Sequence, residues 1–212
     1  MPMTLHPGRC PGRAVLFVLA AATSVVSCQD APASPIRPAD IQTALSACMT
    51  GGVTEGLVRL DSLHRLDAAD ADVLATRGLC RAVRFSADSV QADARAAFAD
   101  LSAAIDAVEA RPDAYQTPLG QLYNQRGFVV QATRPGDWAA VLADFDRAVA
   151  ADARNSAYLL DRGVARALSG DTAAARADLR RFVALVPDDA ARADALRSLL
   201  AGPPADTLAA RR

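Results

Sequence analysis

The 212-residue chain carries 23 basic side chains, all of them arginine, against 24 acidic ones, for a net charge of −1. This near-neutral balance argues against binding to nucleic acid, which requires a clustered basic face, and the absence of lysine excludes catalysis by a lysine side chain. An excess of Ala, Arg, Leu and Asp, with only 5% aromatic residues, favours an all-α fold over strands that need bulky side chains.

The first 27 residues have the pattern of an export signal. Arg9 and Arg13 supply a positively charged start, and residues 14–26 form an apolar stretch of 13 residues that ends beside the small Ser27. As a helix this stretch would be about 20 Å long, which is short of the roughly 30 Å of hydrocarbon in a bilayer. We therefore expect a cleaved signal at residues 1–27, and its removal takes away two arginines and no acid, which changes the net charge from −1 to −3.

The residues at 25–28, Val-Val-Ser-Cys, resemble the lipobox of bacterial lipoproteins. The resemblance implies that Cys28 becomes the lipidated first residue of the mature chain, and an ordinary secretory signal is the alternative. It also implies the outer membrane, facing the periplasm, because Gln29 rather than Asp follows the cysteine. These features predict a lipid-anchored protein of the cell envelope.

Proline-rich segments flank the predicted domain. Residues 28–38 contain three prolines among small residues and are expected to form a semi-extended tether. Gly202, Pro203 and Pro204 end the last predicted helix, so residues 202–212 are expected to be a disordered tail. The folded domain should therefore span residues 39–201.

A recurring unit organises this domain. Arg-Gly occurs at 77–78, 126–127 and 162–163, and each copy is followed by Asp and a large apolar residue, at 100–101, 144–145 and 178–179. A repeat of about 34 to 49 residues indicates stacked supersecondary units that bury their apolar faces against each other.

The clearest unit, residues 156–189, resembles the tetratricopeptide repeat. Gly163 is followed by Ala175, Leu179, Phe182 and Pro187 at intervals of 12, 16, 19 and 24 residues. Further units are expected at 37–70, at 71–113 with an insertion at 84–96, and at 119–155 after an insertion at 112–120, and a solitary helix at 189–201 would cap the array. The resemblance implies a right-handed all-α superhelical solenoid of about four helix-turn-helix repeats plus this C-terminal cap.

The recurring charges are interpreted as ion pairs within each repeat. Arg and Asp are absent together from the first unit, which has Thr43 and Arg59 at those positions. We expect the pairs Arg77–Asp100, Arg126–Asp144 and Arg162–Asp178, partly exposed and each contributing at most about 1 kcal/mol. The alternative is that these arginines reach a ligand.

Two cysteines, Cys48 and Cys80, remain after residue 28 and fall on the first helices of adjacent units. In an oxidising compartment they could form a disulfide, and the alternative is two small buried side chains that never meet. His64 lies among leucines at helical spacing, which is typical of a structural residue. The sequence has no Gly-x-Ser-x-Gly, HExxH, CxxC or phosphate-binding motif, so we predict no catalytic residue, metal or cofactor.

The tetratricopeptide resemblance places an inner groove along the first helices. The residues expected to line it are Ile41, Leu45, Leu79, Asn124, Phe128, Gln131, Leu160 and Val164. Asn124, Gln125 and Gln131 could hold a partner's backbone because amides both donate and accept hydrogen bonds. The predicted function is a non-catalytic adaptor or assembly factor that binds another envelope protein or peptide segment. The alternatives are a self-associating structural protein, such as a homodimer through this surface, and an envelope hydrolase.

Overall fold

The computed structural model describes residues 35–186, and this part of the chain consists of helices joined by short connections. The eight helices are α1 (Pro38–Met49), α2 (Val53–Leu66), α3 (Ala71–Asp88), α4 (Gln91–Ala110), α5 (Leu119–Thr133), α6 (Trp138–Ala151), α7 (Ser156–Ser169) and α8 (Thr172–Leu185). No strand occurs within residues 35–186. The prediction of an all-α fold of stacked helix-turn-helix units is confirmed.

The helices pack in sequence as four hairpins. The pairs α3–α4, α5–α6 and α7–α8 make the most extensive contacts, α1 packs on α2, and each second helix also packs on the first helix of the next pair. First helices touch as well, α1 with α3 and α3 with α5. A large apolar cluster runs from α3 to α8, and a smaller one joins α1, α2 and α3.

Each Arg-Gly motif marks the place where the two helices of a hairpin approach most closely. A Cβ added to Gly78 would lie 2.8 Å from Cγ of Leu101, and one on Gly127 would lie 2.7 Å from Cε1 of Phe145. Such distances are shorter than carbon atoms tolerate, so glycine is required opposite these large side chains. The large apolar residue after each Asp therefore occupies the space that a side chain at the glycine position would need.

Short polar side chains set where several helices begin. Asp70, Asp137 and Asp171 accept hydrogen bonds from the backbone N–H three residues further on, at the start of α3, α6 and α8. Each bond satisfies one of the N–H groups that a first helical turn leaves without a partner. α7 ends at Gly170, whose φ of +95° is the left-handed conformation that glycine adopts readily.

The two predicted insertions take different forms. The residues at 84–96 lengthen α3 to 18 residues and α4 to 20, compared with 14 in α7 and α8. This extension is fastened by Arg84, which donates two hydrogen bonds to Asp93 and holds the pKa of that carboxyl below its usual value. The residues at 112–120 instead form most of the connection between α4 and α5.

Ile36 shows that the packed domain begins earlier than expected. Its side chain is 6% exposed and lies in the cluster with Ile41 and Ala44, within the stretch predicted to be a tether. The predicted signal at 1–27, the lipidation site Cys28, the capping helix at 189–201 and the tail at 202–212 lie outside the described residues. Within residues 35–186, no helix combines the length and apolar character needed to cross a bilayer.

Candidate functional site

The recurring Arg and Asp form paired hydrogen bonds between the two helices of a hairpin. Arg77 donates from Nε and Nη2 to the two carboxylate oxygens of Asp100, at 2.9 and 2.7 Å. The same two-pronged contact joins Arg126 to Asp144 at 2.9 and 2.7 Å. It also joins Arg162 to Asp178 at 2.8 and 2.6 Å. The three predicted pairings are confirmed.

The expected exposure of these pairs is wrong. The side chains of Arg77 and Asp100 are 8% and 6% exposed, and that of Asp178 is 3% exposed. Buried charges cost free energy to desolvate, and the removal of one partner leaves the other uncompensated at a cost of about 3–5 kcal/mol. The limit of about 1 kcal/mol for an exposed pair therefore does not apply here.

The pairs are linked into a chain of contacts that crosses from repeat to repeat, here called the ion-pair ladder. The third donor of each arginine, Nη1, reaches the second helix of the preceding hairpin: Arg77 contacts Asp61 at 3.4 Å, and Arg162 contacts Asp146 at 2.9 Å. In the repeat pattern, both acids stand two residues after the position that the pairing Asp occupies in the other units. The ladder thus ties neighbouring hairpins together as well as the two helices of each.

A second arginine completes the ladder at two of its three steps. Arg81 and Arg166, one turn after the first arginine, each contact the acids of both hairpins. The middle step is reduced, because Val130 occupies this position and Arg126 donates to Ser102 instead of an acid. Rings flank Arg126 there, with its guanidinium 5.6 Å from the centre of Phe98 and 5.5 Å from that of Tyr123.

The two ends of the ladder carry residues that do not fit its pattern. In α1, Thr43 stands where the other first helices have arginine. In α8, Arg180 occupies the position at which Asp61, Ser102 and Asp146, in the other second helices, accept a hydrogen bond from the arginine of the following hairpin. The described repeats thus hold a ladder of three steps that neither end residue extends.

Cys48 of α1 and Cys80 of α3 are joined as a disulfide in the structure. Their Cα atoms are 5.7 Å apart, which lies within the range that a disulfide spans, and both side chains are buried. A Cβ on Gly56 would lie 2.3 Å from Sγ of Cys48, so α2 packs directly on the bridge. The bridge fixes α1 against α3, the two helices that form one end of the groove described next.

The first helices line a cavity of about 240 Å³, here called the amide cavity. Three glutamine side chains from α1 and α5 border it, together with Gln116 from the connection before α5. The residues that line it are Pro38, Ile41, Gln42, Leu45, Asp72, Ala75, Thr76, Leu79, Gln116, Thr117, Pro118, Gln121 and Gln125. Residues of α1, α3 and α5 thus surround a partly open cavity, and Ile41, Leu45 and Leu79 of the predicted groove are among them.

Among the described residues, Asp72 is the one charged side chain on this lining, and its carboxylate binds the connection before α5. It accepts hydrogen bonds from the backbone N–H groups of Gln116 and Thr117, and from the Thr117 hydroxyl at 2.7 Å. Tyr115 adds a hydrogen bond to the carbonyl of Ala69. The connection at 111–118 is thereby held against α3 and forms a wall of the amide cavity.

A second cavity of about 130 Å³, here called the apolar cavity, lies between α3 and α5. Leu79, Phe85, Phe128 and Val129 contribute most of its lining, and Phe128 is 44% exposed. Phe128 also packs edge to face on Phe145 at 5.2 Å between ring centres. Leu79 and Gln125 line both cavities, so the two adjoin each other.

The comparisons with known proteins bear on the fold. No protein-family model matches the chain, and no curated protein matches it in sequence. A solved structure of MamA, a TPR-like protein, covers 71% of this chain and 80% of its own, at a TM-score of 0.53 and 16% identity. A structure of MamA AMB-1 covers 71% of this chain and 73% of its own, at a TM-score of 0.51 and 15% identity. The chain has a tetratricopeptide-repeat (TPR) fold. At this identity the likeness shows the fold and assigns no partner.

On the TPR framework, the predicted groove residues fall into two groups. Ile41, Leu45 and Leu79 line the amide cavity, and Leu79 and Phe128 line the apolar cavity. Asn124 donates its amide to Asp161 at 2.9 Å and so links α5 to α7. Asn124 lies outside both cavities, and so do the other three predicted residues, Gln131, Leu160 and Val164.

Several cavity residues were not predicted from the sequence. Phe85 lies in the lengthened part of α3, and Gln121 lies one turn before Gln125 on α5. The spacing of Gln121 and Gln125, four residues apart on a first helix, could have indicated a shared face. Nothing in the repeat pattern indicates Phe85, because the repeat template has no residue at that place.

His64 lies beside the ion-pair ladder of this TPR array. Its Nδ1 is buried without a hydrogen-bond partner among the described residues. Burial lowers its pKa below 6.5, and the positive charge of Arg77 lowers it further, while Asp100 and Asp61 act in the opposite direction and Arg81 adds to the lowering. The side chain is therefore neutral at pH 7, as expected for a structural residue.

We expect His64→Gln to make the fold less sensitive to acid. Because the folded-state pKa is lowered, the unfolded chain takes up a proton more readily than the folded chain once the pH falls below about 6.5. The stability that neutral His64 contributes is therefore present above pH 6.5 and is lost as the pH falls towards the folded-state pKa. Melting temperatures at pH 7.5 and 5.5 should differ less in the variant than in the unchanged protein, and equal differences would contradict the prediction.

Proposed function

We propose that this chain is a non-catalytic interaction scaffold of the bacterial cell envelope, which holds a segment of another protein in the groove formed by the amide and apolar cavities. The observation that carries the proposal is that the two cavities adjoin each other along the first helices, where they share Leu79 and Gln125. Concave surfaces with apolar lining and a few polar groups are the usual form of a binding site.

The rigidity of the groove supports this role. The disulfide fixes α1 to α3, and the ion-pair ladder fixes each hairpin to the next. A binding surface that is already ordered loses little conformational entropy when its partner arrives. The arrangement thus favours recognition by a fixed surface over one that folds around its partner.

The setting of the proposal comes from the sequence. The export signal at 1–27 and the lipobox-like Cys28 support a lipid anchor, and Gln29 supports the outer membrane with the scaffold facing the periplasm. Cys28→Ser should move the protein from the membrane fraction to the soluble fraction and abolish the incorporation of labelled palmitate. Retention in the membrane fraction without the cysteine would contradict the anchor.

A photo-crosslinking amino acid placed at Gln121 tests the groove. Gln121 lines the amide cavity, and Leu66, which is 63% exposed on a second helix, provides a matched control position. In intact cells we expect a crosslink to another protein from position 121 and none from position 66. Adding Phe128→Asp should reduce the yield about tenfold, because it places a charge in the apolar cavity.

Other products would decide between the alternatives. A crosslinked product of twice the chain mass at position 121 would favour the self-associating structural protein. A crosslink of equal yield from both positions, unaffected by Phe128→Asp, would place the interaction outside the groove. An envelope hydrolase would require His64, so unchanged phenotype in His64→Gln cells would count against that reading.

A further inference from the structure

Charge along the groove restricts what it can accept. None of the ladder arginines lines the amide or the apolar cavity, because their guanidinium groups are held by aspartates between the hairpins. The carboxylate of Asp72 is occupied by the connection before α5. An anionic group in either cavity, or a charged group of either sign in the apolar cavity, would lose its hydration without gaining an opposite charge.

The apolar cavity has the size of a single side chain. Its volume of about 130 Å³ is some four times the roughly 30 Å³ that a water molecule occupies in the liquid, and a leucine side chain has four heavy atoms. Phe128 forms an exposed edge of this cavity, so a side chain could enter from the groove without displacing the helices. Burial of such a side chain would strengthen binding by about 10- to 150-fold.

Gln125 supplies a polar contact at the junction of the cavities. Its Oε1 is buried and has no hydrogen-bond partner among the described residues, although the side chain lines both cavities. An unpaired buried amide oxygen is costly, and rotation of this side chain towards the cavities would let it accept a hydrogen bond from a backbone N–H of a bound chain, which would remove that cost. Gln42 and Gln121 offer further amides along the amide cavity, and amides can pair with both N–H and C=O groups of a peptide.

We propose that the groove binds an extended, uncharged peptide segment of a partner protein, which places one large apolar side chain in the apolar cavity and pairs its backbone with Gln125. This proposal rests on the proposed function and specifies the partner's chemistry. In an extended chain, alternate side chains point in opposite directions about every 3.3 Å, so the residues beside the buried one run along the amide cavity.

A library of acetylated and amidated nonapeptides tests the proposal on the full chain. The peptides keep a Ser, Thr and Gln background and vary only at the central residue, and those retained on the immobilised protein are identified by mass spectrometry. We expect central Leu, Met or Phe to be enriched at least about tenfold over central Asp or Arg. Phe128→Ser should remove this preference, because it opens the apolar cavity to water.

Three further variants test whether Gln125 contacts the peptide backbone and whether the chain's own tether occupies the groove. Gln125→Leu keeps the shape but removes the amide, and it should weaken binding by a similar factor, about fivefold to tenfold, whichever central residue is present. Gln131→Leu, outside both cavities, should leave binding unchanged. Binding that appears only after deletion of residues 29–34, which leaves the core residue Ile36 in place, would show that the chain's own tether fills the groove, and would overturn the proposal.

The outcome for this proposal can be separated from that for the proposed function. Enrichment of acidic or basic peptides, or an apolar preference that survives Phe128→Ser, would overturn the uncharged ligand even if Gln121 crosslinks to a partner. No retention of any peptide together with loss of the Gln121 crosslink would reject both. Retention of apolar peptides without a crosslink in cells would leave the peptide specificity supported and reject the envelope partner.

Discussion

Asp178→Ala should lower the free energy of unfolding by about 3–5 kcal/mol, because the carboxylate is shared by two arginines with little access to water. Asp178 is 3% exposed, and its partners Arg162 and Arg166 are 11% and 21% exposed. Without the acid, both guanidinium groups stay largely buried and lose their compensating charge. Urea unfolding followed by circular dichroism measures the change.

The ladder offers graded controls for this prediction. Asp144→Ala should cost less, because Arg126 is its one arginine partner within residues 35–186 and rings flank that arginine. Glu55→Ala breaks an exposed pair with Arg59 and should cost at most about 1 kcal/mol. If Asp178→Ala destabilises the protein no more than Glu55→Ala, the ladder contributes no more than surface charges do.

The second large effect concerns the disulfide. Replacing both Cys48 and Cys80 by Ala should lower the free energy of unfolding by about 3–4 kcal/mol, which is the loop-closure contribution for a separation of 32 residues. The bridge restricts the unfolded chain, so its removal acts mainly by giving that state more conformations. Urea unfolding of the oxidised protein and of the double variant gives the difference.

Reduction provides the matched control for the double variant. The unchanged protein in excess dithiothreitol should unfold at nearly the same urea concentration as the double variant, and the reductant should not affect the variant itself. A thiol assay on the purified, denatured protein should find neither Cys48 nor Cys80 free. Two free thiols, together with no effect of the reductant, would contradict the bridge.

The sequence was sufficient to predict the hairpins, because their signals are local. Arg-Gly followed by Asp and a large apolar residue specifies both contacts of a helix pair: glycine faces the large residue, and arginine faces the acid. The adjacency of Cys48 and Cys80 also follows once two first helices are placed side by side. These features depend on register within one repeat or between neighbours.

Burial of the ion pairs could not be predicted in the same way. The exposure of Arg77 depends on Asp61 and Arg81, which come from the preceding hairpin and from the next turn of α3. Seen within one repeat, the pair lies at a helix surface and looks exposed. The position two residues after the pairing position indicates this burial, because it holds an acid at Asp61 and Asp146 and a hydroxyl group at Ser102. Each of these side chains can bind the arginine of the following hairpin.

The sequence indicated some of the residues that line the cavities but not the segments that bound them. The expected residues Ile41, Leu45, Leu79 and Phe128 do line cavities. Their enclosure comes from the two insertions, which the repeat pattern cannot describe: one extends α3 as far as Phe85 and beyond, and the other supplies the wall held by Asp72. Departures from the repeat therefore shape the part of the surface that is most specific to this chain.

The mismatched ends of the ladder have a consequence for how copies of the molecule can associate. A second copy stacked head to tail after α8 would present Thr43 of its α1 to Arg180, and neither the arginine nor the receiving acid of a ladder step would be present. Repeat arrays whose ends are complementary tend to polymerise into open filaments. The described ends lack this complementarity, so the contacts that make the array cohesive inside would not be repeated between α8 of one copy and α1 of another.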